Sequence, residues 1–101
     1  MKWEKVVITK SDRDKKFKAF FTNEKLKKKK TIHFGAKGMS DFTIHKDPKR
    51  KKRYLARHND RLTGEDWSKP ATAGALSRWI LWNKPSFEES VKDYKNRFKL
   101  K

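Results

Sequence analysis

Residues 15–22, KKFKAFFT, decide how this chain begins to fold. Side chains of a β-strand point alternately to its two faces, so Phe17, Ala19 and Phe21 share one face. Lysines occupy the start of the stretch and the opposite face. The stretch is therefore predicted to be a strand with one apolar side, which helices from elsewhere in the chain should cover.

The sequence on either side extends this strand into a sheet. Residues 3–9, WEKVVIT, are rich in β-forming residues, and residues 27–35, KKKKTIHFG, place Ile32 and Phe34 on one face. The turn-forming segments SDRD and NEKL separate the three stretches. An antiparallel three-stranded meander is predicted, with residues 41–45, DFTIH, as a candidate fourth strand.

Helical signals replace strand signals at Asp47. Asp47 is a good N-cap, and Pro48 suits the first position of a helix because it has no N–H to satisfy there. The sequence predicts a helix from Pro48 to about Asn59.

Two further helices are predicted in the C-terminal half. Residues 72–83, TAGALSRWILWN, form the second, which Asn83 and Pro85 should end. Ser86 and Glu89 make a capping box that opens the third. The apolar residues of these helices should cover one face of the sheet, through Leu76, Trp79, Ile80, Phe87, Val91, Tyr94 and Phe98.

The predicted fold is a single α+β domain spanning residues 1–101, mainly β over 1–45 and mainly α over 46–101. A chain of 101 residues fits one domain with a modest core. Aromatic residues make up 13% of the chain, which is enough to build that core rather than a disordered basic tail.

The charge of the chain indicates the kind of partner. Lys and Arg number 29 against 12 Asp and Glu, a formal net charge of +17, which favours polyanions. Nucleic acid is the first candidate and an anionic membrane surface the second. The absence of Cys excludes disulfides and Cys-ligated metals. No apolar run approaches the roughly 18 residues that would span a bilayer, so a soluble, intracellular or particle-borne protein is expected.

The first predicted helix carries a row of arginines. Spacings of 3, 4 and 4 residues place four of them within about 60° of one another on the helix, at about 100° per residue. Leu55, His58 and Leu62 lie on a neighbouring side that could dock on a core, and Tyr54 lies between the two groups. The four arginines are Arg50, Arg53, Arg57 and Arg61.

Arginine is suited to phosphate because its planar guanidinium donates two parallel hydrogen bonds. Lys49 and Lys52 add charge to the same helix, and Lys27, Lys28, Lys29 and Lys30 form a second basic element. All of these residues are candidate nucleic-acid ligands. Three alternatives remain open: a solvated helix face, a nuclear localisation signal in PKRKKR, and an edge strand guarded by lysines against aggregation.

Aromatic residues supply candidates for base stacking. Trp79 and Trp82 lie in the most apolar run and are assigned to the core. Trp67 is either an exposed stacking residue or a cover over the core, and Phe20 is a weaker stacking candidate on the lysine-bearing face of its strand.

The sequence contains no recognisable catalytic motif. His33, Asp41, His45 and His58 would form a metal-nuclease site only if the fold gathered them, and their spacing matches no known metal motif. The predictions are therefore no enzymatic activity, no metal, no cofactor and no small-molecule substrate.

Several segments together resemble a known family. They are HFGAKG, SDFTIHKD, RYLARH, the DW pair, TAGALSRWILWNKP and the S-x-K-D of residues 90–93. Over about residues 32–98 the chain resembles small, basic, uncharacterised proteins encoded by nucleocytoplasmic large DNA viruses of the mimivirus and algal-virus groups. The resemblance supplies no activity and no site residues. It implies a viral protein that coats or condenses a DNA genome or lines the inside of the particle, in the virion interior or in the host cytoplasm or nucleus.

These observations predict sequence-nonspecific binding of nucleic acid, with double-stranded DNA favoured over RNA. The mechanism would be counterion release as Arg and Lys neutralise phosphates. Gln is absent and Asn is scarce, which argues against direct reading of bases. The alternative is a non-enzymatic virion protein that binds an acidic protein surface.

Overall fold

Three strands form an antiparallel sheet in the order β1–β2–β3, with consecutive strands as neighbours. The computed structural model describes residues 3–58 and 66–101. The strands are β1 (Lys5–Lys10), β2 (Lys15–Asn23) and β3 (Lys28–Ala36). The predicted meander is confirmed, and tight turns at the two predicted segments join its strands.

The register of the sheet follows the alternation of its apolar residues. Phe21 pairs with Val6, and Ala19 pairs with Ile8 on one side and Ile32 on the other. These residues all point to the face that carries the core, because alternate positions of paired strands share a face. The other face of the sheet stays open.

The edge of β1 receives an additional partner from the far end of the chain. The backbone N–H of Lys101 donates to the carbonyl of Glu4, and the N–H of Val6 donates to the carbonyl of Lys101, each at 3.0 Å. Leu100 is buried beside this pairing. The C-terminal residues therefore protect an edge that would otherwise present unpaired backbone groups.

The proposed fourth strand at residues 41–45 is wrong, because this segment forms a short helix, α1 (Phe42–His45). The carboxylate of Asp41 accepts the backbone N–H of Thr43 at 2.9 Å and caps the helix. Lys46 ends it in a left-handed conformation with φ of 55°. Over five residues, the apolar pattern of a strand resembles that of one helical turn, and the side-chain cap at Asp41 favours the helix over the strand.

The arginine-bearing segment forms α2 (Pro48–Arg57). Asp47 caps it as predicted, its carboxylate accepting the N–H of Lys49 at 2.9 Å. His58 is the C-cap. Asn59, where the predicted helix ends, lies outside the described residues.

The last two helices lie close to their predicted positions. Helix α3 (Ala73–Leu76) continues as a π-helical turn (Ser77–Leu81), in which the N–H of Trp82 donates to the carbonyl of Ser77 at 3.0 Å. The wider turn is a departure from the single α-helix predicted over 72–83. Helix α4 (Phe87–Phe98) follows the N-cap Ser86, whose hydroxyl accepts the N–H of Glu89, which is one half of the predicted capping box.

The core lies between the sheet and the last two helical segments. Phe21, Phe34, Leu76, Ile80 and Tyr94 are completely or almost completely buried. Every helical residue predicted to cover the sheet belongs to this cluster or packs against it. The α+β fold is therefore confirmed, and α2 is left at the periphery with no fully buried residue.

Candidate nucleic-acid interface

Helix α2 is fixed to the rest of the molecule along one side. The ring of Tyr54 stacks on Trp82 with 4.2 Å between centroids, and on His58 with 4.3 Å between centroids. The rings of Trp82 and His58 cannot both stack on one face of Tyr54 at these distances, so the Tyr54 ring lies between them. Lys51 adds a second attachment, since its Nζ donates to the carbonyl of Asn83 at 2.6 Å.

Lys51 is consequently not available to phosphate, although it lies within the most basic stretch of the chain. Its ammonium group is 5.0 Å from the ring centroid of Phe42. Burial lowers the pKa of Lys51, and the charges of Arg78 and Lys84 lower it further. The contacts of α2 with the C-terminal half are thus made by Lys51 and Tyr54, each one residue away from an arginine.

The neighbouring side of α2 faces a groove of about 790 Å³. Arg50, Arg53 and Arg57 are exposed and line one wall of it. The helical spacing that aligned them in the sequence therefore directs them to one place in the structure. The sheet contributes the basic residues of the opposite wall, Lys15, Lys16 and His33.

The groove is cationic because its acidic lining is already neutralised. Among the described lining residues, Asp41 is the one carboxylate, and it accepts a hydrogen bond from Lys16 Nζ at 2.7 Å. Asp41 is 2% exposed and also caps α1. In the described part of the chain, Arg50, Arg53 and Arg57 form no ion pair with an acid. Their charges at the groove are therefore not compensated by an ion pair with any acid of residues 3–58 or 66–101.

Gly35 shapes the wall of the groove formed by β3. It adopts φ of +84°, and a Cβ added there would lie 2.9 Å from Leu81 Cδ1 and 3.2 Å from Lys16 Cβ. A residue with a side chain there would therefore require Leu81 or the neighbouring backbone to shift. Glycine at this position lets the strand approach the floor of the groove closely.

The other predicted ligands lie away from the groove. Lys49 and Lys52 are exposed on the outer side of α2 and do not line it. Arg61 lies outside the described residues.

The lysine run of residues 27–30 also lies apart from the groove. Lys15, at the groove, pairs with Ala36, whereas Lys28 pairs with Asn23, eight positions further along β2. At about 3.3 Å per residue, Lys28 and Lys30 lie about 17 Å and about 10 Å along β3 from His33, which lines the groove. Lys27 lies in the turn with φ of 52°, and Lys30 Nζ donates to the carbonyl of Ala71 at 3.3 Å. The structure therefore divides the predicted basic residues between two regions.

Sequence reasoning did not place Lys15, Lys16 and His33 opposite the arginines. The lysines were expected on the outward face of their strand, and His33 was considered with a metal site. No local pattern could have paired β2 with α2, since more than 30 residues separate Lys16 from Arg50.

Trp67 is half-buried and lies beside Trp79 and Arg78. Its carbonyl accepts the indole N–H of Trp79 at 2.8 Å. The guanidinium of Arg78 lies 5.5 Å from the Trp67 ring and 4.1 Å from the Trp79 ring. Burial lowers the pKa of Arg78, and the nearby charge of Arg97 adds to the effect. This arrangement is a structural cation–π cluster.

The residues considered for a metal site have separate roles. His33 shares a hydrogen bond with Ser11, Asp41 pairs with Lys16, and His45 Nδ1 accepts the N–H of Asp47. Within residues 3–58 and 66–101, no group of three or more His, Asp or Glu side chains is placed to hold a metal ion. No helix in the same residues is both long and apolar enough to cross a bilayer.

The fold and the groove define a small α+β protein with a cationic cleft between a three-stranded sheet and a peripheral helix. Residues 6–58 match a family model described as "Family of unknown function (DUF5754)", and the chain belongs to this family. The match includes α1, α2 and almost the whole sheet. No curated protein matches the chain, and no solved structure matches it.

Proposed function

We propose that this protein binds nucleic acid without sequence preference, with double-stranded DNA as its partner, by holding the phosphodiester backbone in the groove beside α2. One observation carries the proposal: Arg50, Arg53 and Arg57 line the same groove, and no acid among the described residues forms an ion pair with them. Three like charges side by side repel one another, and a polyanion in the groove would offset that repulsion.

The groove provides what backbone binding requires. Each guanidinium can donate two hydrogen bonds to a phosphate, and Lys15 adds a flexible positive charge across the groove. The stack of Tyr54 on Trp82 holds the arginine-bearing helix in position. Binding would release counterions from the nucleic acid and would weaken as salt increases.

The lining of the groove favours contact with phosphate over reading of bases. Asn and Gln, which read adenine through two hydrogen bonds, are absent from the lining among the residues that the structure describes. Phosphate contacts fix position and carry no sequence information. The proposed role is therefore binding, without catalysis or a cofactor. A role in condensing the genome of a large DNA virus is proposed from the resemblance of residues 32–98 alone.

Fluorescence anisotropy across a salt series tests the proposal, with a random-sequence duplex of about 20 base pairs as ligand. A variant with Arg50, Arg53 and Arg57 changed to Gln should flatten the plot of log K against log salt by about 2 to 3 units, near one unit per lost phosphate contact. The control variant changes three exposed lysines that do not line the groove to Gln, namely Lys92, Lys99 and Lys101.

The control separates the groove from the general charge of the protein. Equal losses in both variants would show that binding depends on net charge and not on the groove. If the wild-type protein ignores duplex at about 100 mM salt, the proposal fails, and selective binding of an acidic protein becomes the reading to pursue.

A further inference from the structure

The open face of the sheet displays an aromatic ring at its centre. Phe20 lies in the middle strand and pairs with Val7 on one side and Thr31 on the other. Phe20 is 38% exposed and Val7 is 42% exposed. No described residue covers this row, although the apolar residues of the opposite face are buried.

Basic residues surround the exposed ring. One neighbouring row pairs Lys5, Thr22 and Lys29, and the row on the other side pairs Thr9, Lys18 and His33. Among the described positions, strand alternation places no Asp or Glu on this face between these two rows. In these three rows of described residues, the charged side chains around the ring are therefore all basic.

This combination suits an unpaired nucleotide better than a second copy of the chain. Two copies meeting face to face would bring lysines against lysines, in proteins that each carry a net charge of +17. A nucleotide offers an aromatic base to the ring and a phosphate to the lysines. Base–aromatic stacking is tolerant of sequence because every base has a π-face.

The open face is also continuous with the groove. His33 lines the groove, and the same residue pairs with Lys18 in the row next to Phe20. Two residues along a strand span about 7 Å, so Phe20 lies a short distance from the mouth of the groove. A chain that leaves the groove past His33 would pass directly over Phe20.

We propose that the open face of the sheet binds single-stranded nucleic acid, with a base stacked on Phe20 and the adjoining phosphates held by Lys18 and Lys29. The proposal rests on the proposed function and extends it, since it names an unpaired strand as a ligand and adds a second surface to the groove. A duplex, whose bases are already stacked, would use the groove alone.

The test compares three ligands of one length: a single strand of about 15 nucleotides, the same sugar–phosphate chain without bases, and a duplex. The wild-type protein should bind the single strand at least about fivefold more tightly than the abasic chain, since stacking of one base is worth that much. Phe20→Leu keeps an apolar side chain without a ring and should abolish most of this difference.

Further variants make the result specific to the ring. Phe20→Tyr keeps a ring and should retain the preference for bases, and Val7→Thr, which changes the neighbouring exposed residue, should also retain it. Duplex binding should be the same in all of these proteins. Circular dichroism and urea unfolding of each variant establish that it is folded.

Equal binding of the single strand and the abasic chain by the wild-type protein would overturn the proposal without any variant. A Phe20→Leu variant that still prefers the single strand over the abasic chain would overturn it too. So would a change in sedimentation between the wild type and Phe20→Leu, because it would show that the open face is a contact between copies. Failure of the proposal that the groove binds duplex would give a different result. In that case the three-arginine variant binds duplex like the wild type, whereas the dependence on bases and on Phe20 remains.

Discussion

The ring of Tyr54 in α2 lies parallel to the ring of Trp82, with centroids 4.2 Å apart and planes inclined by 5°. This contact joins the middle of α2 to the end of the π-helical turn. Because α2 has no fully buried residue, few other contacts hold it in place. The direction of the arginines on the next side of the helix therefore depends on this aromatic stack together with the hydrogen bond from Lys51 to Asn83.

Replacing Tyr54 should loosen α2 and weaken binding without removing any charge. Tyr54→Ala should lower the free energy of unfolding by about 1 to 3 kcal/mol, through lost burial and lost stacking. Hydrogen exchange should show reduced protection of the α2 amides. The salt dependence of duplex binding should flatten although Arg50, Arg53 and Arg57 are present. Tyr54→Phe keeps the stack and is the control, and equal protection of α2 in all three proteins would contradict this account.

Gly35 and Gly38 form a matched pair for measuring the close approach at the groove. Both have φ of +84°, but a Cβ at Gly35 meets Leu81 at 2.9 Å, whereas a Cβ at Gly38 meets nothing within 4 Å. Gly38→Ala should therefore cost only the left-handed conformation, about 1 to 2 kcal/mol. Gly35→Ala should cost about 1 to 3 kcal/mol more because the strand or Leu81 must move. Urea unfolding measures both, and equal losses would show that the contact yields freely.

The pair of Lys16 and Asp41 should behave as a buried unit. Their side chains are 15% and 3% exposed, and the Nζ–Oδ2 distance is 2.7 Å. Lys16→Met leaves the Asp41 carboxylate buried without its cation and should cost about 3 to 5 kcal/mol. Adding Asp41→Asn should recover part of that loss, since the amide oxygen can still cap α1. Free energies of unfolding for the four proteins complete the cycle, and strictly additive losses would mean that the two groups do not interact.

Tyr94 should make the protein sensitive to alkali. Burial raises the pKa of its phenol above the ordinary value, and its hydroxyl donates to the carbonyl of Pro70 at 2.7 Å. The pKa of Tyr94 is raised only in the folded state, so the neutral phenol contributes fully to the stability of the fold below about pH 10, where unfolded tyrosine begins to ionise. Above that pH this contribution decreases by about 1.4 kcal/mol per unit until the folded pKa is reached.

The comparison with Tyr94→Phe isolates this effect from the titration of the many lysines. The variant should be about 1 kcal/mol less stable near neutral pH, because the Pro70 carbonyl loses its partner. Its disadvantage should shrink and then reverse above about pH 10. Urea unfolding at a series of pH values measures the difference, and a constant difference across the series would show that the phenol ionises equally in both states.

Local patterns were sufficient for most of the secondary structure. The alternation of Phe17, Ala19 and Phe21 identified β2 because strand periodicity is a property of consecutive residues. The caps at Asp47 and Ser86 were readable for the same reason, since a capping side chain bonds to an N–H two or three residues away. The strand prediction for residues 41–45 was wrong because five residues are too few to distinguish a strand from one capped helical turn.

The sequence predicted only part of the candidate site. The spacing of Arg50, Arg53 and Arg57 established that they share one side of a helix. The spacing could not establish what that side faces. The sequence also predicted Lys27–Lys30 as ligands of the same nucleic acid. In the structure, Lys28–Lys30 lie about 10 to 17 Å along β3 from His33, which lines the groove, and Lys15 of β2 lines the groove instead of that run.

The sequence by itself determined the strands, the positions of the main helices, the positive charge and the alignment of the arginines. All of these follow from the order of neighbouring residues and from regular helical or strand geometry. Tertiary structure alone decided that Lys51 turns inward, that Lys15 and Lys16 lie opposite the arginines, and that Phe20 stays uncovered. These outcomes depend on packing between segments distant in the chain, above all on Tyr54 meeting Trp82 and on the close approach at Gly35, and short-range periodicity carries no information about such contacts.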